Sequence, residues 1–434
     1  MNMKEKVQKC LDEMSIKTIE LGRKLFETPE LGFKEFKTRE ILIKDLKEAG
    51  FEVERTFART GFSVSLGSGH PHIGLIAELD AIPTLGHPHA DLNDQSAAHT
   101  CAHSTQCAIM TSVIKALKEV NVTEFDGKIT LFFTPAEEFT DMAFRRELIS
   151  KGVIAYPAGK IQMLHEGIFD DVDLCLHLHA MGNDEYRFAS NSHLAGFIYK
   201  KFTFVGKASH AAVLPHLGVN ALNAFTLFQS AAGMLRETFV DEDKNRFHGI
   251  VTEGGQTVNS IPERVVYEGY VRSFNTSNMK LLSDKLTHAA KHCAEALGAE
   301  CIVEDTPGYL PFKPCHELSL AVEENMLHFC QPKEILHDEK SVAAGDIGDL
   351  GLFVPTIQFG YGGVGGVIHG KNMFIEDEER LYIESAKVTA MTVIDLLQHP
   401  DKTKRILESF TPQMTKEEYF NYLNSKSMKN STHY

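Results

Sequence analysis

Lys128-Ile-Thr-Leu-Phe-Phe-Thr-Pro-Ala-Glu-Glu138 runs an apolar segment straight into two adjacent acids. The apolar part reads as a buried strand, so Glu137 and Glu138 are delivered from its end. Like charges at close quarters repel, and a carboxylate near a core strand is costly unless something positive compensates it. A metal ion is the simplest compensation. With one acid as ligand and the other facing the attacking water, the pair becomes the centre of a hydrolytic site.

Outward from this stretch the pattern alternates between strand and helix. Residues 36–49 place Ile41, Leu42, Leu46 and Ala49 at helical spacing and stop at Gly50. Strand-like runs follow at Phe62–Leu66, His72–Leu79 and Asp173–His179, and residues 105–120 carry the apolar spacing of a buried helix. These are the layers of an α/β fold with a mixed, mainly parallel sheet flanked by helices. From about residue 190 the texture changes. Tyr199–Val205, Gly249–Thr252, Arg264–Ser273 and Glu300–Glu304 read as strands, with helices over Val219–Phe239 and Met279–Leu297. The order β-α-β-β-α-β is that of a ferredoxin-like α+β unit. Helix, strand, helix then resume at Leu318–Phe329, Val354–Phe359 and Glu378–Leu397. The simplest layout is a catalytic domain split into 1–189 and 307–434 around an inserted domain at 190–306; a sequential arrangement of two domains is the alternative. The polar tail 401–434 reads as a peripheral helix with a frayed end.

Composition narrows the function classes. The chain has 434 residues, 43% hydrophobic and 24% charged, enough for more than one core. A formal net charge of −15 argues against nucleic acid and anionic membranes as partners. No run approaches the roughly 18 to 20 apolar residues of a membrane span. The charged start Met1-Asn-Met-Lys-Glu-Lys and eight cysteines without framework spacing point to a reducing, cytoplasmic setting.

Four motif segments end strands or precede a helix: Glu78-Leu-Asp80-Ala-Ile-Pro83, His99-Thr-Cys101-Ala-His103, Glu137-Glu138 and His177-Leu-His179. Ligands of open α/β sheets sit beyond the carboxyl ends of strands, where these segments converge and where His369 also reaches. Thiol, imidazole and carboxylate form a transition-metal donor set. The spacing leaves either His177 or His179 as a ligand, since both share one face of a strand. Three other patterns carry less. Gly360-Tyr-Gly-Gly-Val-Gly365 fits a dinucleotide loop only formally, because no helix follows it. Ser209-His210 lacks a nucleophile elbow, and Phe169 stands where the second His of an H-E-x-x-H motif belongs.

The ordered series Asp80-Ala-Ile-Pro83, His99-Thr-Cys101-Ala-His103, Thr134-Pro-Ala-Glu137-Glu138, Gly206-Lys-Ala-Ser-His210, Gly254-Gly-Gln-Thr-Val-Asn259 and His369 resembles the aminoacylase and carboxypeptidase family of metallopeptidases, family twenty. It is most similar to the amidohydrolase branch, with aminoacylases and hippurate, auxin-conjugate and aminobenzoyl-glutamate hydrolases. The resemblance implies a zinc-exopeptidase-like catalytic domain, an inserted lid that mediates homodimerisation, and two divalent ions, zinc or manganese with cobalt also accepted. It implies Cys101, His103, Glu138, His179 and His369 as metal ligands and Glu137 as general base. By the same resemblance Asp80 orients a ligating histidine, His210 meets the substrate oxyanion, and Asn259 and Arg272 lie near the substrate. The implied reaction is hydrolysis of the amide of a small N-acyl or N-aroyl amino acid or dipeptide.

Two departures stand out. The family's Cys-Gly-His-Asp is Cys101-Ala-His-Ser104 here, and Glu78 replaces a common Asp. They leave the ligands in place and bear on the metal and the substrate. The alternatives are a metal-dependent aminohydrolase (deaminase) on the same scaffold and a binding homologue without chemistry.

Overall fold

The structure, a computed structural model, describes residues 1–182 and 185–426. Its contacts divide the chain into two compact units. The first comprises Met1–His193, Lys313–Lys340 and Gly345–Gln413. The second is built on Leu194–Phe312, with Ser341–Ala344 and the segment from Met414 on.

The first unit holds an eight-stranded sheet in the order Arg55–Phe57, Gly61–Ser68, Gly127–Thr134, His72–Glu78, Leu174–Ala180, Thr356–Tyr361, Phe188–Ser190, Ile335–His337. Its four central strands, Gly127–Thr134 to Thr356–Tyr361, run parallel. Such strands are covered on both faces, and every residue of His72–Glu78 is buried. Antiparallel pairs flank this centre, which makes the sheet mixed. The helix His103–Glu119 lies over the central strands and packs against Met3–Phe26 and Ser385–Gln398.

Register decides where the chemistry falls. Glu78 pairs with Thr134 and Ile76 with His177, so three neighbouring parallel strands end at one edge of the sheet. Asp80, Glu137, Glu138 and His179 lie at or just beyond those ends.

The second unit carries a four-stranded antiparallel sheet in the order Arg246–Glu253, Arg264–Ser273, Gly196–Val205, Glu300–Pro307. With the helices Ala221–Leu235 and Thr276–Ala296 this is the ferredoxin-like order expected from sequence. The helix expected to reach Phe239 ends at Leu235, and a short 3-10 turn follows.

Other differences are local. The helix expected from residue 105 begins at His103 itself. The one expected from Glu378 opens with a π-helical turn, Glu379–Glu384, before becoming α-helical. The tail forms two helices, Pro400–Ser409 and Lys416–Lys426, and the second packs on the Glu300–Pro307 strand, whereas the sequence pattern leaves it with the catalytic part. Residues 427–434, the last part of the tail whose end is expected to fray, lie outside the described residues. Among the described residues, no helix is long and apolar enough to cross a membrane.

Candidate metal centre

Six side chains from four segments meet at the sheet edge. Ligand atoms of Cys101, His103 and His179 lie within 4.8 Å of one another, as do those of Cys101, Glu138 and His369, and those of His103, Glu137 and Glu138. Cys101 belongs to two of these trios. Its Sγ is 3.4 Å from His179 Nε2, and His369 Nε2 is 3.1 Å from Glu138 Oε1.

Backbone geometry presents these groups. Ala102, between Cys101 and His103, takes the left-handed conformation (φ 65°), as do Ala136 (φ 52°) and His369 (φ 64°). Glycine adopts this region freely, and an L-residue there costs on the order of 1 kcal/mol. The glycine that the resemblance places at position 102 would adopt this conformation freely, and Ala102 keeps the turn at a cost. His369 is tied in by its N–H, which donates to Thr100 O at 2.8 Å.

Hydrogen bonds fix the tautomers. His103 Nδ1 donates to Asp80, 3.0 Å from its backbone O and 3.2 Å from Oδ1, which turns Nε2 into the cluster. His179 Nδ1 donates to Ala180 O at 2.9 Å, so its Nε2 faces the cluster unprotonated. His177, the other candidate of the strand, instead meets Gln358 through Nδ1 and Gln106 through Nε2. Asp80 thus touches both the His103 ring and Glu138, whose N–H its Oδ2 accepts at 2.9 Å.

The site fits a metal on its own chemistry. His103 Nε2 and Glu138 Oε1 are buried without a well-formed hydrogen bond, although Glu78 Oε2 lies 3.2 Å from the first and His369 Nε2 3.1 Å from the second. Orphaned buried polar atoms are rare, and two aimed into one cluster of thiol, imidazole and carboxylate suit a cation. The acids also differ electrostatically. Burial first, then the charges of Glu78 and Glu138, push Glu137 well above the usual carboxylate range. Burial raises Glu138 too, but the close contact and charge of His369 overcome that and hold it down at about 2. Burial lowers His179 to about 4 and raises the Cys101 thiol well above its ordinary value.

Three charged residues around the pair were not singled out from the sequence. Glu35 is fully buried, accepts the Ala136 N–H at 2.8 Å and the Thr60 hydroxyl at 2.5 Å, and so pins the strained residue before the two acids. Arg145, also fully buried, donates to the carbonyls of Glu138 and Pro157. Lys160 pairs with Glu78 and Asp346. None of the three carries a spacing signal.

These contacts give two expected outcomes. Arg145→Met removes a charged donor from the Pro157 carbonyl and leaves the Glu138 carbonyl with the Thr140 N–H alone, and is expected to cost about 1–3 kcal/mol in urea unfolding; a loss under about 0.5 kcal/mol contradicts the clamp. Burial, and next the charge of Asp80, push Glu35 from 4.5 up to about 7. A raised folded pKa contributes stability that is complete below the unfolded value and lost as pH rises through the folded one. Glu35→Gln is therefore expected to gain stability relative to the parent between pH 5 and pH 8, by on the order of 2–3 kcal/mol. A stability difference between the two proteins that is the same at both pH values would contradict the assignment.

The other expected site residues belong to the second unit. His210 is exposed, and its Nδ1 accepts the N–H groups of Ala212 and Val213 at 3.3 and 3.2 Å. Asn259 is its neighbour, with its O accepting the Ala211 N–H at 3.0 Å. Arg272 lies over the rings of Phe197 and Tyr270 and donates to Val342 O at 3.0 Å.

The family model for peptidase family M20/M25/M40 matches residues 74–395, most of the chain and every segment of the cluster. The chain belongs to that family. Among its relatives, it is 27% identical to a human (Homo sapiens) Xaa-Arg dipeptidase over 365 residues, covering 81% of this chain and 75% of the dipeptidase. It is 27% identical to a p-aminobenzoyl-glutamate hydrolase polypeptide of Escherichia coli K12 over 302 residues, 66% of this chain and 57% of that polypeptide. A solved dinuclear metal-binding peptidase of family M20 from Bacillus subtilis superposes with a TM-score of 0.66 at 19% identity, covering 89% of this chain and 99% of the other, which shows the shared fold. Membership in M20 and the clustered donor groups make this chain a hydrolase of the metallopeptidase class with side chains suited to a dinuclear site.

Proposed function

We propose that the protein hydrolyses the amide bond of a small N-acyl or N-aroyl amino acid or dipeptide. The observation that carries this reading is the convergence of three ligand trios with two orphaned donor atoms in an M20 chain. Cys101, His103, Glu138, His179 and His369 would hold two divalent ions, zinc or manganese, with cobalt also suited to the donor set. When bound, the ions polarise the scissile carbonyl and lower the pKa of a water.

The remaining roles fall to the chain itself. Glu137 takes the proton from the attacking water and hands it to the departing nitrogen; its high proton affinity within the cluster suits a group that must carry a proton between two steps. Asp80 holds His103 through Nδ1 and steadies Glu138 through its backbone N–H. His210 would donate to the developing oxyanion, and Asn259 and Arg272 would bind the rest of the substrate. The inserted part, 190–306, is assigned as lid and homodimerisation domain, and the protein is assigned to the cytoplasm. The names of the dipeptidase and aminobenzoyl-glutamate hydrolase relatives support a substrate with an amide next to an amino-acid carboxylate.

The test is a panel of N-acetyl, N-benzoyl and N-aminobenzoyl amino acids and dipeptides, offered to metal-stripped protein reloaded with zinc, manganese or cobalt. Metal-dependent release of a free amino acid is the expected result. Ammonia as the sole nitrogen product would establish the aminohydrolase instead.

A further inference from the structure

Behind the ligand cluster lies a second group of acids. Carboxylate oxygens of Glu78, Glu137 and Asp346 are within 4.8 Å of one another, and all three residues are buried. Three buried carboxylates cannot all stay ionised without positive charge, and an all-carboxylate trio is the donor set of a hard divalent ion. Here the chain supplies its own cation. Lys160 is fully buried, with Nζ 2.6 Å from Glu78 Oε1 and 2.5 Å from Asp346 Oδ1.

The arrangement is built at both ends. Asp346 Oδ2 accepts the backbone N–H of Lys160 at 2.7 Å, so one carboxylate fixes both the main chain and the ammonium of the same residue. Glu78, gripped by Lys160 through Oε1, turns Oε2 toward the amide of Gln106 at 2.9 Å and toward His103 Nε2 at 3.2 Å. A continuous line of contacts thus runs from Asp346 through Lys160 and Glu78 to a histidine of the metal cluster.

We propose that Lys160 is a positioning residue: its ammonium occupies the carboxylate trio as a built-in cation, holds Glu78 against His103, and prevents the trio from taking a further divalent ion that would claim Glu137 as a ligand. The inference rests on the reading of Glu137 as the general base. Without the ammonium, Glu78 loses its anchor, and the three buried acids must be neutralised by an imported cation or by taking up protons.

The test uses the full chain with Lys160→Ala, which opens the space, and Lys160→Met, which keeps the bulk. Mn2+ bound per chain is counted after gel filtration, and kcat and KM are measured with an amide that the parent hydrolyses. Lys160→Ala is expected to hold one more equivalent of Mn2+ than the parent, displaced by ethylammonium. In both variants kcat is expected to fall by about 30-fold or more with KM within about threefold, since remote binding of substrate is untouched. Ethylammonium is expected to restore part of the activity of Lys160→Ala where ethanol does not, a distinction that a merely structural lysine would not produce. A Lys160→Ala protein that binds no extra Mn2+, or a Lys160→Met protein whose kcat stays within about threefold of the parent, overturns the proposal. Should the alanine variant not fold, the methionine variant decides alone. A parent that binds Mn2+ yet cleaves no amide defeats the proposed reaction, while the extra equivalent in Lys160→Ala still decides the role of the lysine.

Discussion

Glu137→Gln is expected to keep its full complement of metal and lose turnover by about 10³-fold or more, the scale of a positioned general base. The glutamine is isosteric and uncharged, so the crowding of carboxylates around Glu78 and Asp346 is relieved and folding is not at risk. Substrate affinity should change little, because the lost interaction acts on the proton of the attacking water. Elemental analysis and steady-state kinetics on one preparation separate the two effects. Full activity in metal-replete Glu137→Gln would sink the assignment of the base.

His103→Ala and Glu138→Ala are expected to fail one step earlier, by losing metal. Each removes an atom that is buried, orphaned and aimed into the cluster, and each takes part in two of the close-packed trios. Truncating Glu138 also leaves the His369 imidazole facing nothing at the position where it lies 3.1 Å from the carboxylate. Both variants should therefore bind less than the parent's complement of metal and show activity lower by at least about 10³-fold, recovered little by excess metal. The contrast with Glu137→Gln is the useful part. Two neighbouring glutamates are expected to give opposite metal contents for the same loss of activity.

Asp80 offers an intermediate case. It touches both His103 and the Glu138 backbone, and loss of such an orienting acid typically weakens metal binding or activity by about 10- to 100-fold.

Much of this was legible in the sequence because it depends on local pattern. The parallel strands His72–Glu78 and Leu174–Ala180 are continuous apolar runs, and their ends carry the acids and histidines, so the sheet edge could be located without coordinates. The smaller unit was legible for the same reason: alternating strands and two long amphipathic helices spell its order. The short strands Phe188–Ser190 and Ile335–His337 at one end of the sheet were not, because three residues are too few to show a period. Nor could the strand His177-Leu-His179 choose between its histidines by spacing; their different hydrogen-bond partners separate them in space.

The buried charges form the other gap. Lys160 meets Glu78 across 82 positions and Asp346 across 186, and no periodicity encodes such a pairing. Arg145 sits in the short helix Met142–Ser150, where an arginine ordinarily reads as a solvated face. Glu35 stands at the start of the helix Phe36–Glu48 and reads as an exposed acid until the fold places Thr60 and Ala136 against it. In each case the signal is long-range, and the sequence shows only a charge.

The central claim is that Cys101, His103, Glu138, His179 and His369 hold two ions while Glu137 stays unligated for proton transfer. Anomalous diffraction from crystals grown with manganese or zinc tests it most directly. Two peaks ringed by those five side chains, with the Glu137 carboxylate beside them and bound to neither, are the expected result. A peak seated among Glu78, Glu137 and Asp346, or none at the edge of the sheet, would contradict it.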